Sequence, residues 1–559
     1  MNLFDVHLNR IKTAVLRRYS AAQIAKWITE HTKYNLSFYS YKDHEYQERI
    51  LSDTSIEVNI RKCSQVGLSE ASCRMSLALV NVLTPYTLAY TLPTAHFAGT
   101  FAKTRMDPVI AGSDTMKENV HKHNNNNEVK QFGDSFLHIR GAASTNAPIS
   151  IPCDHLVHDE VDFSDQEVLD QYVSRLTHSS WKRTHRLSTP TLPKFGIDKA
   201  FQQSRRHFLF CKCDRCGNSF IPDYYAHVRV PGYKGELRDI NKQVMGRIEW
   251  KDAAVICPRC GKAPSLQPQH REWVCENANE GYEAAGYQVT PFDAPNVIKP
   301  GYLIKVSCDY GRVQDFVNFG LGLPMEDSEA TLTRADFERV FAHIEPPASG
   351  YSYVMGVDVG NIYHFVVAAV DGHGDMIGCL TKQVPMIKAR ETYAKLRAEF
   401  HTDVSVIDSG PHAETVMALQ EEDPNLFASV YMRSKSIVTH TVLDKDKEDL
   451  KGQVFVRQVN VNRNRALDAY MGFLREGHLV IRESDEKDTI ISHHMSMKRV
   501  KTFDNDSGEM NYSWQKTDGI DHYHHAFLYA WVASRIRGVS KNLVLLPTTS
   551  IHSFRLKEH

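Results

Sequence analysis

Val58-Asn59-Ile60-Arg61-Lys62-Cys63-Ser64-Gln65-Val66-Gly67-Leu68-Ser69-Glu70 is the stretch that decides how this chain is read. Just ahead of the turn, Ile56, Val58 and Ile60 alternate with polar residues, which predicts a strand. Lys62 to Ser69 reads as a tight turn, and Glu70 to Leu83 as a helix. Strand, loop, helix is the layout of a phosphate-binding P-loop. N–H groups at a helix start point at an anion, and the helix dipole favours it. The pattern is a variant. Gly67 and Ser69 stand where such a loop has its second glycine and its hydroxyl, but Leu68 replaces the lysine and Lys62 replaces the first glycine. A lysine there reaches back over the phosphates and restores the missing charge, and Ser69 is placed to hold Mg²⁺. On these residues alone, a tight turn before a core helix is the competing reading.

Working outward, the acids come next. Ile149, Ile151 and His155-Leu156-Val157-His158 form an apolar run that ends in Asp159-Glu160. Carboxylates at the end of such a strand face the phosphates. Asp159 is expected to hold Mg²⁺ through water, and Glu160 to polarise the attacking water. Upstream, Tyr46 and Gln47 are candidates to seat adenine, the ring by stacking and the amide by reading the base edge. Strands are expected at Thr87–Leu92 and His185–Ser188, with helices at about His96–Ile110 and Glu167–Leu176. Residues 111–130, which include the Asn124–Asn127 run, are expected to be a loop.

The chain has 559 residues and a formal net charge of −1, so it carries no global basic signal for nucleic acid. Local patches (Arg61-Lys62, Arg205–His207, Arg463–Arg465, Lys498–Lys501) would have to serve. The first residues lack the apolar core of a signal peptide, and no apolar run reaches the ~20 residues of a membrane helix. The expectation is a soluble intracellular protein. Eleven cysteines, an odd number, argue against a disulfide framework. Four of them form two Cys-x-x-Cys-Gly knuckles, Cys213/Cys216 and Cys257/Cys260, the ligand set of a closed Cys₄ structural Zn²⁺ site. Cys211 and Cys275 are expected outside it, and a hairpin or loop is expected over Tyr224–Trp250.

A second centre starts at Tyr353. An apolar strand ends at Asp358, two further strands follow at Phe365–Val370 and Met376–Leu380, and a fourth run, Val404–Ile407, ends at Asp408. This is how an RNase H-type nuclease begins. A third acid, Asp521, precedes a helix expected at Ala526–Ser534. Carboxylates from two strands and a helix can converge on two Mg²⁺ ions. Asp521 is the softer of the three, and a structural acid at each position is the alternative.

The ordered set resembles the large terminase subunits of tailed bacteriophages, motors that pump DNA into empty heads. Lys62, Gln65, Gly67 and Ser69 resemble that family's deviant loop. Ser188-Thr189-Pro190-Thr191 resembles its coupling motif, whose hydroxyls sense the γ-phosphate. Phe316 to Pro324 resembles the seam between its ATPase and nuclease. The family's last helix often reads Asp-His-x-x-Asp-Ala; here His525 replaces the second aspartate, and the resemblance then implies Asp521 as the third ligand with His525 as a metal or water contact.

The resemblance implies an α/β protein: a P-loop ATPase domain with a mostly parallel sheet, an RNase H-like nuclease domain, and a small zinc-ribbon insertion. The expected boundaries are a helical segment at 1–35, the ATPase at 36–206 and 281–348, the ribbon at 207–280, the nuclease at 349–537 and a tail at 538–559. It also implies ATP, Mg²⁺ (or Mn²⁺) and Zn²⁺ as cofactors, and double-stranded DNA, a portal protein and a small terminase subunit as partners. A homo-oligomeric ring on the portal, no membrane, and the host cell cytoplasm complete the expectation. The rival readings are a zinc-bearing helicase or translocase without a nuclease, an RNase H-fold recombinase without an ATPase, and a non-catalytic assembly protein.

Overall fold

The computed structural model describes residues 21–143, 151–326, 333–347, 350–432, 436–442, 455–503, 510–517 and 519–543. The chain falls into two compact units, Met1–Asp327 with Val500–Tyr512, and Ser328–Arg499 with Ser513–His559. Among the described residues no helix is long and apolar enough to cross a membrane.

Among its described residues the first unit is built on an eleven-stranded sheet. The strands that place the site are β1 (Glu57–Lys62), β2 (Thr87–Leu92), β3 (Ser135–Gly141), β4 (His155–Asp159), β5 (Arg183–Ser188), β6 (Arg205–Lys212), β7 (Arg271–Cys275) and β8 (Ala285–Val289). The order β6-β8-β1-β5-β4-β2-β3 is parallel throughout, with antiparallel strands added at the edges. The sheet is therefore mostly parallel, as the sequence suggests. Strands of a parallel sheet are covered on both faces. This explains a difference at β1: Ile56 lies outside the strand and is exposed, while the polar residues Asn59, Arg61 and Lys62 are buried along with Val58 and Ile60.

Each buried polar side chain of β1 has a partner, as burial demands. Asn59 donates to Ser204 Oγ at 3.0 Å. Arg61 donates to Asp198 and Gln288 and lies over the Phe201 ring, 4.2 Å from its centroid. Lys62 meets Glu160.

Several expected elements sit elsewhere by a few residues. The helix after the loop, α1 (Leu68–Val82), begins two residues early, capped by Gly67 in the left-handed region at φ 69°. Asn124 and Asn125 belong to a strand, Val120–Asn125, and the buried Lys130 amine bonds Asn125 and the Asn126 carbonyl along with Asp107. Residues 21–31 are helical; 1–20 lie outside the described residues, as does Ile149. The resembled seam, Phe316–Leu321, is a π-helical turn packed on the phosphate loop: Ser64 N–H donates to Phe319 O at 2.8 Å. Gly322 ends it at φ 71°, where an added Cβ would fall 2.4 Å from Cys63 N.

The second unit has a nine-stranded sheet among its described residues. Its site strands are β9 (Ser352–Asp358), β10 (Ile362–Val370), β11 (Met376–Pro385), β12 (Val404–Asp408) and β13 (Leu426–Tyr431). β9, β10 and β11 form an antiparallel meander, while β12 pairs in parallel with β9 and β13 with β12. A long helix, α2 (His522–Leu543), starts four residues before the expected Ala526. Residues 544–559 of the expected tail lie outside the described residues.

The Arg61–Asp198 pair is buried on both sides. Asp198→Ala strands the guanidinium and is expected to cost about 3–5 kcal/mol. The double change Arg61→Met with Asp198→Leu is expected to recover most of that loss. Urea unfolding, followed by hydrogen exchange in β1, reads both; a single variant as stable as the parent would show that the pair does not hold the strand.

Candidate functional site

The chain leaves β1 at Lys62 and crosses to α1 through the loop. Cys63 N–H donates to Val289 O at 3.0 Å, so the loop is pinned at its first residue. Gln65 (φ 63°) and Gly67 (φ 69°) turn it in the left-handed region. Gln65 is exposed, and an added Cβ on Gly67 would fall 2.7 Å from Gln47 Nε2.

Across the loop stands the end of β4. Lys62 Nζ lies 3.2 Å from Glu160 Oε1, with the lysine buried and the glutamate partly exposed. Burial works against the lysine charge, but Glu160 and Asp159 outweigh it and hold its pKa above the ordinary value. Asp159 is buried and accepts from Ser69 Oγ at 3.2 Å and Tyr90 Oη at 2.7 Å. Burial, and then the neighbouring Glu160 charge, push Asp159 up to about 6. Glu160 itself has φ 57°, an uncommon value for a residue with a side chain. Lys62, Ser69, Asp159 and Glu160 thus meet in one place.

Tyr46 and Gln47 are close by but serve the loop backbone. Tyr46 Oη donates to Val66 O at 2.6 Å, and Gln47 Nε2 donates to the same oxygen at 3.0 Å. Gln47 Oε1 accepts from Tyr39 Oη at 2.6 Å. Both side chains are buried with their polar ends engaged.

The Ser188–Thr191 segment connects to the strand-end acids through a residue that sequence reasoning missed, Asp162. Its Oδ2 accepts from Thr191 N–H at 2.7 Å and Thr191 Oγ1 at 2.8 Å, and its Oδ1 from Ile197 N–H at 2.7 Å. Asp162 N–H donates to Ser188 Oγ at 3.2 Å, and Ser188 Oγ in turn donates to Thr189 O at 2.8 Å. Thr191 O accepts from Asn318 Nδ2 at 2.9 Å and Met325 N–H at 3.1 Å. Thr189 Oγ1 is buried with no hydrogen-bond partner among the described residues. The signal for Asp162 was its place three residues after Asp159, in Asp-Glu-Val-Asp.

The two knuckles fold alike. Gly217 N–H donates to Cys213 O at 2.9 Å and Gly261 N–H to Cys257 O at 3.0 Å, each glycine having positive φ. The four sulfurs lie within 4.8 Å of one another, with Cys213–Cys260 at 3.8 Å and Cys216–Cys257 at 3.7 Å. Metal–sulfur bonds of about 2.3 Å give tetrahedral edges of about 3.8 Å, so the set fits a Zn²⁺ ion. Cys211 donates to Ser265 O and Cys275 to Asn277, away from the cluster. The expected hairpin region holds a short helix, Tyr224–His227, and a strand, Val228–Arg229, paired with Ala254–Val255. The strand entering the first knuckle, β6, is also a strand of the central sheet and pairs with β7.

In the second unit, β9 ends at Asp358 and β12 at Asp408, and the register pairs Val357 with Ile407. The acids are therefore neighbours across two parallel strands. Burial raises Asp408, and the Asp358 charge raises it further, with His525 acting against both. Burial also raises Asp358, offset in part by His522, whose Nδ1 lies 2.9 Å from Asp358 Oδ2. Asp521 pairs with His525 at 3.4 Å; burial alone would raise it, but that contact and nearby positive charge bring it down to about 2. Tyr431 Oη holds His525 Nδ1 at 3.1 Å. Asp358, His364 and His522 place donor atoms within 4.8 Å of one another. Neither histidine was singled out from the sequence; His364 lies inside an apolar strand and becomes visible only through its register with Asp358.

A parallel sheet whose strand ends carry a Lys–Ser loop opposite an Asp–Glu pair defines the first unit as a P-loop nucleotide-binding domain. Residues 32–279 match the family model described as phage terminase large subunit gpA, ATPase domain. Among solved structures, the chain is similar to the HK97 bacteriophage large terminase, at 11% identity over 92% of this chain and 99% of that one, with a TM-score of 0.46. It is also similar to the large terminase of a thermophilic bacteriophage in complex with ADP, at 11% identity over 85% and 93%, TM-score 0.29. A third likeness is to the large terminase nuclease of the thermophilic phage G20c, at 14% identity over 35% of this chain and 96% of that one, TM-score 0.22. A comparison with curated proteins found no match.

Burial pushes Asp162 up to about 7 from an ordinary 3.8. Between these values the folded protein holds a proton that the unfolded chain releases, so this group's contribution to stability is full at low pH and is lost as pH rises through the window. Asp162→Asn is expected to flatten that fall in thermal stability between about pH 4 and 7. Above that window, where the ionised carboxylate accepts from all three groups, it is also expected to cost about 1–3 kcal/mol, since an amide presents a donor to one of them. A pH slope identical to the parent's would place the titration elsewhere.

Proposed function

We propose that this chain is a terminase large subunit that couples ATP hydrolysis to translocation of double-stranded viral DNA into a procapsid, and that cuts the DNA concatemer. The observation that carries the ATPase half is the meeting of Lys62 and Ser69 with Asp159 and Glu160 inside a chain segment that matches the terminase ATPase family model.

The loop N–H groups and Lys62 would take the ATP phosphates. Lys62 is held by Glu160, so an incoming phosphate competes with that carboxylate for the lysine. Release from Lys62 frees Glu160 to accept a hydrogen bond from water and orient it for attack. Ser69 and Asp159 would hold Mg²⁺, which when bound neutralises charge on the phosphates. Asp162 ties the strand-end acids to Ser188 and Thr191, so a displacement at Glu160 is delivered to that segment and on to Asn318. Tyr46 and Gln47 act in this cycle as braces of the loop at Val66; an adenine contact by either belongs to the proposal.

Asp358, Asp408 and Asp521, with His525 beside the last, would hold the divalent ions of the nuclease, which supply an activated water and stabilise the leaving oxygen. The carboxylates order the site and set its charge. Cys213, Cys216, Cys257 and Cys260 would hold Zn²⁺ as a structural ion. Partners of this reading are DNA, a portal protein, a small subunit and further copies of the chain in a ring, in the host cytoplasm.

Paired substitutions separate the two centres. Glu160→Ala is expected to lower DNA-stimulated ATP turnover by about 10²–10⁴-fold and to leave Mg²⁺-dependent DNA cleavage in place. Asp358→Ala is expected to do the reverse. ATP turnover that survives Glu160→Ala would overturn the motor half, and cleavage that survives Asp358→Ala the nuclease half. Chelation of zinc is expected to raise hydrogen exchange first in residues 207–275; protection there that is indifferent to chelator would remove the metal from the ribbon.

A further inference from the structure

The second unit carries a set of metal-type donors that the carboxylate reading does not use. Asp358 closes β9, and the antiparallel register sets His364 of β10 directly across from it. His522 opens α2 and contacts Asp358 Oδ2 through Nδ1 at 2.9 Å. One donor atom from each of the three lies within 4.8 Å of the other two. The rings of His364 and His522 stack with centroids 4.9 Å apart.

Two features point to a ligand. His364 is 2% exposed, and its Nδ1 is buried with no hydrogen-bond partner among the described residues. A buried nitrogen left unmade costs desolvation energy that a bound cation returns. Asp358 is also buried, and its carboxylate meets the His522 ring. A metal ion would replace the proton that bridges them. Metal–nitrogen and metal–oxygen bonds of about 2.0–2.2 Å bring tetrahedral donors to about 3.4 Å of each other. The set closes with a small inward movement of His522, whose side chain is 42% exposed.

We propose that Asp358, His364 and His522 form a binding position for a borderline transition-metal dication of the Zn²⁺ or Co²⁺ type. Imidazole suits such ions, whereas Mg²⁺ takes oxygen ligands and sheds water reluctantly. Two imidazoles and one carboxylate fill three positions and leave the fourth open to water or to a phosphate oxygen. The position shares Asp358 with the nuclease reading, but it stands on the donor set and does not require that the protein cleave DNA.

The test uses the full chain with its four knuckle thiols already loaded with Zn²⁺, titrated with Co²⁺ alone. Visible absorption and calorimetry read binding, and circular dichroism reads folding. One Co²⁺ per chain is expected, retained in about a hundredfold excess of Mg²⁺. His522→Ala and His364→Ala are each expected to weaken it by about tenfold or more. His478→Ala, a half-exposed histidine of the same unit, is expected to leave it within about twofold, the scatter allowed to a residue outside the site. Should the buried His364 variant fail to fold, the half-exposed His522 variant decides. Displacement of Co²⁺ by an equal amount of Mg²⁺, or unchanged binding in His522→Ala, overturns the proposal. Cleavage in Mg²⁺ by a protein that takes up no Co²⁺ overturns it and leaves the nuclease standing; Co²⁺ uptake without cleavage does the opposite.

Discussion

A lysine removed from water can stay charged only if something negative is held against it, and Lys62 has Glu160 at 3.2 Å and the Asp159 charge behind it. The same is true in reverse. Asp159 is buried beside Glu160, and two carboxylates side by side resist ionising together; Asp159 rises to about 6 despite Lys62, Tyr90 and Ser69. The cluster is therefore poised: one buried positive charge is shared by two acids, Asp159 buried and Glu160 partly exposed. On the proposed reading, a triphosphate entering the loop would change that balance, bringing negative charge to the lysine and leaving the acids to be satisfied by others. Binding and the release of Glu160 would then be one event, without any separate device to link them.

The surrounding fold keeps that event local. β1 is pinned at its polar positions by Ser204, Asp198 and Gln288, so Lys62 cannot retreat along the strand. The loop's backbone is tied to Val289, Phe319, Tyr46 and Gln47. Past Glu160 the chain turns through a left-handed residue into Asp162, and the bonds of Asp162 to Thr191 tie the strand end to the Ser188–Thr191 segment.

Much of this was legible in the sequence where physical rules act locally. Thr87–Leu92 is a strand with the bounds its composition suggests, and the apolar runs that stop at Asp159, Asp358 and Asp408 do stop there as strands. The paired knuckles were readable from spacing alone. What escaped depends on neighbours that sequence does not order. The hydrogen bonds of Tyr46 and Gln47 to the Val66 carbonyl join positions about twenty residues apart, which spacing alone does not reveal. Asp162 looks like one more acid in an acidic turn until three donors converge on it. The start of α2 was read too late, because Asp521-His522-Tyr523-His524-His525 lacks the apolar period of the residues that follow.

That last helix shows how a site is fixed by backbone contact. Gly356 lies two residues before Asp358, and a Cβ there would fall 2.2 Å from both Ala526 O and Ala530 N. The helix thus rests on the strand with no side chain between them, as close as two backbones can come. Its first turn then has no choice but to overhang the strand's end, which brings His522 to Asp358 and His525 to within reach of the Asp408 charge. A buried Asp358 and a half-buried Asp408 on adjacent strands would repel each other, and the chain itself places the imidazoles of α2 beside them. The first unit meets the same problem of crowded carboxylates with a lysine, a charge that is fixed near neutral pH. The second meets it with histidines, which can give up a proton and accept a metal instead. On the proposed readings, the choice of base would mark the difference between a place that receives an anion and one that receives a cation.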